Sequence, residues 1–397
     1  MLRLRCGMLA VAGGSRLIGG SIRSDEPFFT FDCGSLERRP LAQRQNPSTV
    51  ASEPEMILAA SFSSSGEFFA LTDDSKRLVL FKTSPSWELI SVRWLSRRCT
   101  ALVFSPCNSR VLVADKSGDV FSFSVKAAEE DGRLELGHLS MLLDLVATLD
   151  GQHVITCDRD EKIRVSQWGA PHVITAFCLG HTEFVSQLAL PEGREKLLLS
   201  GSGDGTLRLW RYETGQELQN CTISSIPRPE DDLEVKEFAV TRIRCCPRGE
   251  QVAVLCDGVP GIYMFSILAS PCLAHPLYVN LPYAPVDLDF EDSTSLWVFS
   301  AIKGNPIQLL QYREQRWQPA PRDDRTKELS DVIGESWEQM GGSATLENRF
   351  SALYKAVFDN MASYLQKKEA RIQNEKRKLS TGQEVSAAKI QKAKSYC

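Results

Sequence analysis

The chain has 397 residues, 43% hydrophobic and 24% charged, with 46 Lys and Arg against 50 Asp and Glu for a net charge of −4. That length can bury a large core, and no run approaches the roughly 20 consecutive apolar residues of a membrane-spanning helix. Twelve cysteines form no dense framework. Most lie in apolar strand runs such as VITCD and VAVLCD, which points to reduced, buried thiols in an intracellular protein without a secretory leader.

At the N-terminus MLAVAG, RLIGGSI and FFTFD read as strands of an irregular first unit over about residues 2–50. Glycines and Arg16 interrupt what would otherwise look like a targeting peptide. Four regular units follow. Ser75 opens SKRLVLF, Ser117 opens SGDVFSF, Asp160 opens DEKIRVS and Asp204 opens DGTLRLW, at intervals of 42, 43 and 44 residues. A polar turn followed by an alternating apolar strand, repeating at a drifting period of this size, marks a β-propeller blade. The insertion SSIPRPEDDLEVK precedes a sixth unit with VAVLCD and GIYMFSI, and a seventh holds LWVFSA and IQLLQY. The pattern predicts an all-β, seven-bladed propeller over residues 1–317. Its end near Tyr312 is expected to pair beside the first blade, closing the ring and removing exposed edges.

The fifth unit carries the fullest set of structural residues. Gly180 and His181 open it, Ser200 lies in LLLSGSGDG, Asp204 sits in the turn and Trp210 closes the next strand, and the whole resembles a WD repeat. That resemblance implies a buried hydrogen-bonded chain through His181, Ser200, Asp204 and Trp210. The fourth unit has His138, Thr156 and Asp160, but Ser166 stands where the family places Trp, so a shorter network is expected. His181, Ser200 and Asp204 could also be taken for a hydrolase triad; they recur at repeat spacing, and a Ser within a strand has no nucleophile elbow. The GSGDG of residues 201–205 mimics a phosphate loop, yet a strand follows where phosphate binding needs a helix N-terminus. Neither a Walker-type loop nor zinc-ligand spacing occurs. No catalytic residue, cofactor or metal is expected.

After Trp317 the pattern changes. Residues 318–342 read as a linker, and Leu346, Phe350, Leu353, Val357, Met361 and Leu365 recur at helical spacing, predicting an amphipathic helix over 343–378. Residues 379–397 read as a basic tail without order. From Gln366 to Cys397 nine Lys or Arg face three Asp or Glu, a net of +6 that leaves −10 for the rest. The helix would either pack against the outer blades or tether this segregated charge, with Lys367, Lys368, Arg371, Lys376, Arg377 and Lys378, which suits a partner, an RNA backbone or a nuclear import signal.

Turn charges are mixed in sign: Lys76 and Arg77 in the second unit, Lys116 in the third, and Asp160, Glu161, Lys162 and Arg164 in the fourth. A phosphate-binding surface would be uniformly basic, whereas interspersed signs suit ion pairs with another protein.

The stretches FALTDDSKRLVLF, VLVADKSGDVFSFSV, DRDEKIRVS, LGHTEFVS, GDGTLRLW and LYKAVFDNMASYLQKKE together resemble the WD-repeat, non-catalytic subunit of the tRNA guanine-N7 methyltransferase. The resemblance is dense over residues 68–212 and returns near the C-terminus. It implies a scaffold, without its own methyl donor, for a separate methyltransferase that binds S-adenosylmethionine and modifies a guanine in the tRNA variable loop. Carried over, Asp160, Glu161, Lys162 and Arg164 match the segment that docks the catalytic subunit, with Lys116, Lys76 and Arg77 flanking it. A nuclear location accompanies this reading. A ubiquitin-ligase substrate receptor is the first alternative; Trp210 is followed by Arg211, Tyr212 and Glu213, which departs from the Asp and Arg such receptors often carry there. A stand-alone RNA-binding propeller is the second.

Overall fold

The computed structural model describes residues 1–37, 55–194, 196–228, 238–341, 350–355, 361, 364–365, 367–369 and 371. Its strands form seven four-stranded antiparallel sheets, each built from four successive strands. Blade 1 covers residues 2–32, and blades 2 to 7 cover 57–94, 99–137, 142–178, 185–222, 240–280 and 285–319. The first strand of each blade contacts the first strands of its neighbours all the way round, including that of blade 7 with that of blade 1. The ring is closed and seven-bladed, as the repeat predicts.

Seven buried apolar clusters fill it, one at each seam between blades. Because every sheet is sandwiched between two others, its middle strands are buried on both faces: Leu197–Ser202 and Ser295–Ser300 are buried throughout. Outer strands such as Glu88–Trp94 are largely exposed. The six buried cysteines among the described residues are free thiols, and burial pushes those of Cys99 and Cys178 up to about 12, far from thiolate reactivity at neutral pH.

Closure differs from the expected pairing of chain ends. Blade 7 has its own fourth strand, Arg316–Pro319, so neither terminus lends a strand to the other. Carboxylates on the innermost strand of blade 7 clasp blade 1 instead. Asp287 Oδ2 accepts the Leu2 N–H at 3.0 Å, and Asp289 Oδ2 accepts the Leu4 N–H at 2.9 Å. Asp287 also meets Arg3 at 2.9 Å and Arg242 at 3.0 Å. Burial opposes its charge, but these guanidinium groups hold its carboxyl well below the ordinary range.

The 318–342 segment, expected as a linker, contains helix α1, Asp324–Glu335. Asp323 caps it by accepting the Thr326 N–H at 2.7 Å. Leu329 and Ile333, with Trp337 and Met340 beyond, join the blade 7–blade 1 cluster beside Leu2, Val11 and Trp297. Arg325 lies 3.7 Å from the Phe28 ring centroid and donates to the Ser21 carbonyl. At Gly14, φ is +48° and a Cβ would stand 2.0 Å from the Gln339 carbonyl oxygen, so only glycine permits this approach. Helix α1 is thus part of the closure.

Within the span predicted as the C-terminal helix, the described residues 350–355 are not helical. Phe350 to Tyr354 form a turn, with the Leu353 N–H donating to the Phe350 carbonyl at 2.8 Å. Among the described residues beyond, Met361, Tyr364, Leu365, Lys367, Lys368 and Arg371 are helical and exposed. Leu346, Val357, Lys376, Arg377 and Lys378 lie outside the described residues. Residues 355–397 form a unit of their own, and among the described residues no helix is long and apolar enough to cross a membrane.

Because α1 seals the seam, Leu329→Ala should cost about 2–5 kcal/mol through the cavity it leaves. Urea unfolding followed by tryptophan fluorescence would show a lower midpoint, whereas an unchanged midpoint would return the segment to the status of a linker.

Candidate docking face

The turns between second and third strands all open on one face of the ring. In blades 2 to 4 the second strand ends in aspartate: Asp73, Asp115 and Asp158. Each carboxylate folds the turn back on itself. Asp158 Oδ1 accepts the N–H groups of Asp160 at 2.9 Å and Lys162 at 3.0 Å. Asp115 Oδ1 does the same for Ser117 and Asp119, and Asp73 Oδ1 accepts from Arg77 N. Three residues past each aspartate, or past Ser202 in blade 5, the backbone is left-handed: Lys76 at φ +64°, Gly118 at +95°, Glu161 at +71° and Gly205 at +73°. Glycine is the low-strain choice there. In blades 2 and 4 a charged residue occupies that position at a cost of about 1–2 kcal/mol, on a turn whose shape its aspartate already fixes.

Beneath these turns lies the hydrogen-bonded network expected of a WD repeat. His181 reaches Asp204 Oδ2 with Nδ1 at 2.9 Å and Ser200 Oγ with Nε2 at 2.7 Å, and Trp210 Nε1 donates to the same hydroxyl at 2.8 Å. Ser200 is wholly buried, and the four residues hold the loop entering blade 5 to its turn. Burial opposes the charge on Asp204, but His181, Thr206 and the Thr182 N–H together hold it below the ordinary carboxylate range. In blade 4 the corresponding histidine, His138, contacts Thr156 Oγ1 at 2.8 Å and Asp158 Oδ2 at 3.0 Å. The aspartate joined to His138 is Asp158 and not Asp160, because blade 4 folds its turn from the last residue of the strand.

Two of the charges assigned to docking lie inside the blades. Arg164 pairs in register with Thr156, as Arg208 does with Ser200. Its guanidinium donates to Ser166 Oγ at 2.9 Å, the Gly137 carbonyl at 2.9 Å and the Pro171 carbonyl at 2.8 Å. It thereby meets the hydroxyl that replaces the WD tryptophan and holds the loop leading to His138. Arg77 is wholly buried and ion-paired to Asp73 and Glu55. It also donates to the carbonyls of Cys33, Leu36 and Glu37, tying the exit of blade 1 to blade 2. Both arginines are spent on the fold. The remaining assigned charges sit on the turns: Lys116 and Lys162 are exposed, while Asp160, Glu161 and Lys76 are half-buried. Lys162 Nζ donates to the Asp160 carbonyl at 3.1 Å.

Sequence reasoning missed two further features of this face. The aspartates at 73, 115 and 158 follow the repeat spacing and were visible as such. The contacts that Arg159 and Phe184 make with the chain after the propeller were not, because their partners are remote in sequence. Arg159 Nε donates to the Leu353 carbonyl at 3.0 Å. Phe184 stacks on Phe350 at 5.7 Å between centroids and takes Tyr354 edge-on at 5.0 Å.

Fold and network together define a WD-repeat β-propeller. One solved structure with this architecture, a chain of the mitotic checkpoint complex, aligns with a TM-score of 0.60 at 13% identity, over 76% of this chain and 86% of that one. That likeness concerns the fold alone. The model of the tRNA methyltransferase TRM82 WD40 domain family matches residues 35–133 and 126–319. The tRNA (guanine-N(7)-)-methyltransferase non-catalytic subunit wdr4 of Xenopus laevis is 58% identical over 100% of both chains. The WDR4 subunit of Homo sapiens is 45% identical over 91% of this chain and 89% of its own. The chain belongs to this family of non-catalytic subunits of the tRNA guanine-N7 methyltransferase.

Arg164→Met should orphan buried acceptors at about 1–3 kcal/mol each, so its melting temperature should fall by several degrees while Lys162→Met leaves it unchanged. Equal melting temperatures would put Arg164 back at the surface. For Asp204, a depressed folded pKa means that its contribution is complete above the unfolded value of about 3.9 and lost as pH falls through the folded value. The stability gap between wild type and Asp204→Asn should therefore shrink as pH falls below about 4. Urea titrations on either side of that pH would reveal a flat gap if the carboxylate's charge were irrelevant.

Proposed function

We propose that the blade 3–blade 4 turns dock the catalytic methyltransferase subunit and that the basic C-terminal extension contacts tRNA, so that this chain positions both for N7-methylation of a variable-loop guanine. The observation that supports the docking reading most is the blade 4 turn. Asp158 fixes its backbone, while Lys162 and, across the seam, Lys116 project into solvent. A pre-shaped turn bearing unburied charge loses little conformational entropy on binding, and complementary charges steer association and set register. Asp160, Glu161 and Lys76 belong to the same surface. Arg164 and Arg77 support it from within.

S-adenosylmethionine binding and the chemical step then belong to the partner. The rate effect of this chain comes from placing the partner's active site against its RNA and ordering it, without contributing a reacting group. Lys367, Lys368 and Arg371 are exposed helical positions, suited to counterion release from phosphates. With Lys376, Arg377 and Lys378 they give the extension the charge an RNA backbone needs, and the same run fits a nuclear location.

Lys162→Glu combined with Lys116→Glu should leave the melting temperature of the propeller within about a degree and weaken the heterodimer roughly a hundredfold or more, since like charges across an interface cost several kcal/mol. Titration calorimetry with the purified methyltransferase reads this directly. Wild-type affinity in the double variant would move the interface off this face. Truncation after Leu365 should preserve the heterodimer but flatten the log–log salt dependence of tRNA binding by about 0.7–0.9 per lost phosphate contact. An unchanged slope would remove the RNA role of the extension.

A further inference from the structure

The motif LYKAVFDN, which begins at Leu353 and Tyr354, has no place in the propeller repeat, yet its first residues are bound to the ring. Phe350 lies flat on Phe184, with an interplanar angle of 2°, and Tyr354 meets the same ring edge-on. The Tyr354 hydroxyl donates to the Gly203 carbonyl at 3.1 Å, in the turn of blade 5. Arg159 donates to the carbonyls of Leu353 and Ala352, from the turn of blade 4. Five residues thus make two aromatic contacts and three hydrogen bonds with two adjacent blades.

The place of attachment matters because of where the chain was last held. Helix α1 and the residues after it end at Met340 and Gly341 against blade 1, where the Ser15 N–H donates to the Gln339 carbonyl. Blades 4 and 5 lie across the ring from the blade 7–blade 1 seam. Gly341 and Phe350, nine residues apart in sequence, are therefore attached on opposite sides of the ring, and Phe350–Tyr354 is held beside the turn that bears Asp160, Glu161 and Lys162.

We infer that Phe350–Tyr354 is a clip that sets the departure point of the basic extension beside the methyltransferase-docking turns, so that RNA contacts are delivered to the docked partner. This rests on the proposed readings of the blade 3–blade 4 turns as the docking site and of the extension as an RNA-binding element. Phe184 and Arg159 are positioning residues of the clip and touch no substrate. With the clip closed, Lys367 lies 13 residues from the clip's end at Tyr354; with it open, the preceding attachment among the described residues ahead of the clip is Met340, 27 residues away. Effective concentration falls roughly as the −3/2 power of tether length, which gives about a threefold loss from length alone. Relocation of the anchor across the ring adds to it.

The test uses the full-length heterodimer carrying Phe350→Ala with Tyr354→Ala, both outside the blades, alongside Tyr354→Phe and the truncation after Leu365. The double variant should raise the KM for tRNA threefold or more, leave kcat at saturating tRNA and the heterodimer affinity unchanged, and keep the wild-type salt slope, because every phosphate contact still forms. Tyr354→Phe retains the edge-on ring contact and should restore most of the loss. If the truncation weakens tRNA binding and the double variant does not, the clip is refuted while the RNA reading stands. If the truncation itself has no effect, both fail. A double variant that weakens the heterodimer instead would make the segment part of the protein interface and overturn the inference.

Discussion

The constraint on which this molecule depends is closure of the ring at the blade 7–blade 1 seam. A sheet rolled into a propeller leaves one seam that no covalent continuity holds. Sharing strands between the chain ends is one solution, but here each blade is complete in itself. The seam is held by carboxylates that replace strand pairing: Asp287 and Asp289 take up the N–H groups of Leu2 and Leu4. Asp144 does the same across the blade 4–blade 5 seam, accepting the Leu188 N–H at 2.8 Å. A buried carboxylate used in this way requires nearby positive charge, and Arg3, Arg242 and Arg244 supply it around a central cavity of about 350 Å³. Helix α1 then covers the seam with apolar side chains. Only when the ring is closed do blades 4 and 5 stand opposite the point where the chain leaves it.

The repeat was legible because a blade must alternate apolar residues and turn at fixed intervals whatever else it does. Spacings of 42 to 44 residues fixed the number of blades, and His181, Ser200, Asp204 and Trp210 were identifiable from their positions in one unit. The fate of charged residues on third strands was not legible. In a sheet with one solvated face, an arginine within a strand points outward; in a propeller both faces of the third strand meet neighbouring blades, so alternation no longer separates inside from outside. Ile163–Gln167 is buried except at its last residue, and Arg77–Lys82 follows the same pattern. Arg164 and Arg77 therefore read as surface charges in the sequence, although their strands leave them almost none. Helix α1 was hidden for another reason. Its acidic and basic residues lower the mean hydropathy, and its anchors Leu329 and Ile333 are few.

The turns escape this burial because they project beyond the sheets. Lys162 and Arg164 are two residues apart on one strand and its turn, yet one is exposed and the other is enclosed by the loop of residue 137 and by Pro171. The boundary between the fold and the proposed docking surface falls between them. In blade 4 Asp158 marks it, since the residues whose N–H groups it accepts, Asp160 and Lys162, belong to the turn.

This division changes how loss of the complex should be interpreted. Arg164 grips the loop that carries His138, and that loop flanks the turn proposed for docking, so under that proposal damage at Arg164 reaches the partner through disorder of the turn and not through a missing contact. Such a defect should worsen with temperature and be relieved by anything that stabilises blade 4, because it scales with the population of misplaced turns. A missing contact at Lys162 behaves otherwise: it depends on ionic strength, as screened charges do, and little on propeller stability. The two failures look alike in a single pull-down at one temperature and one salt concentration, and separate when both are varied.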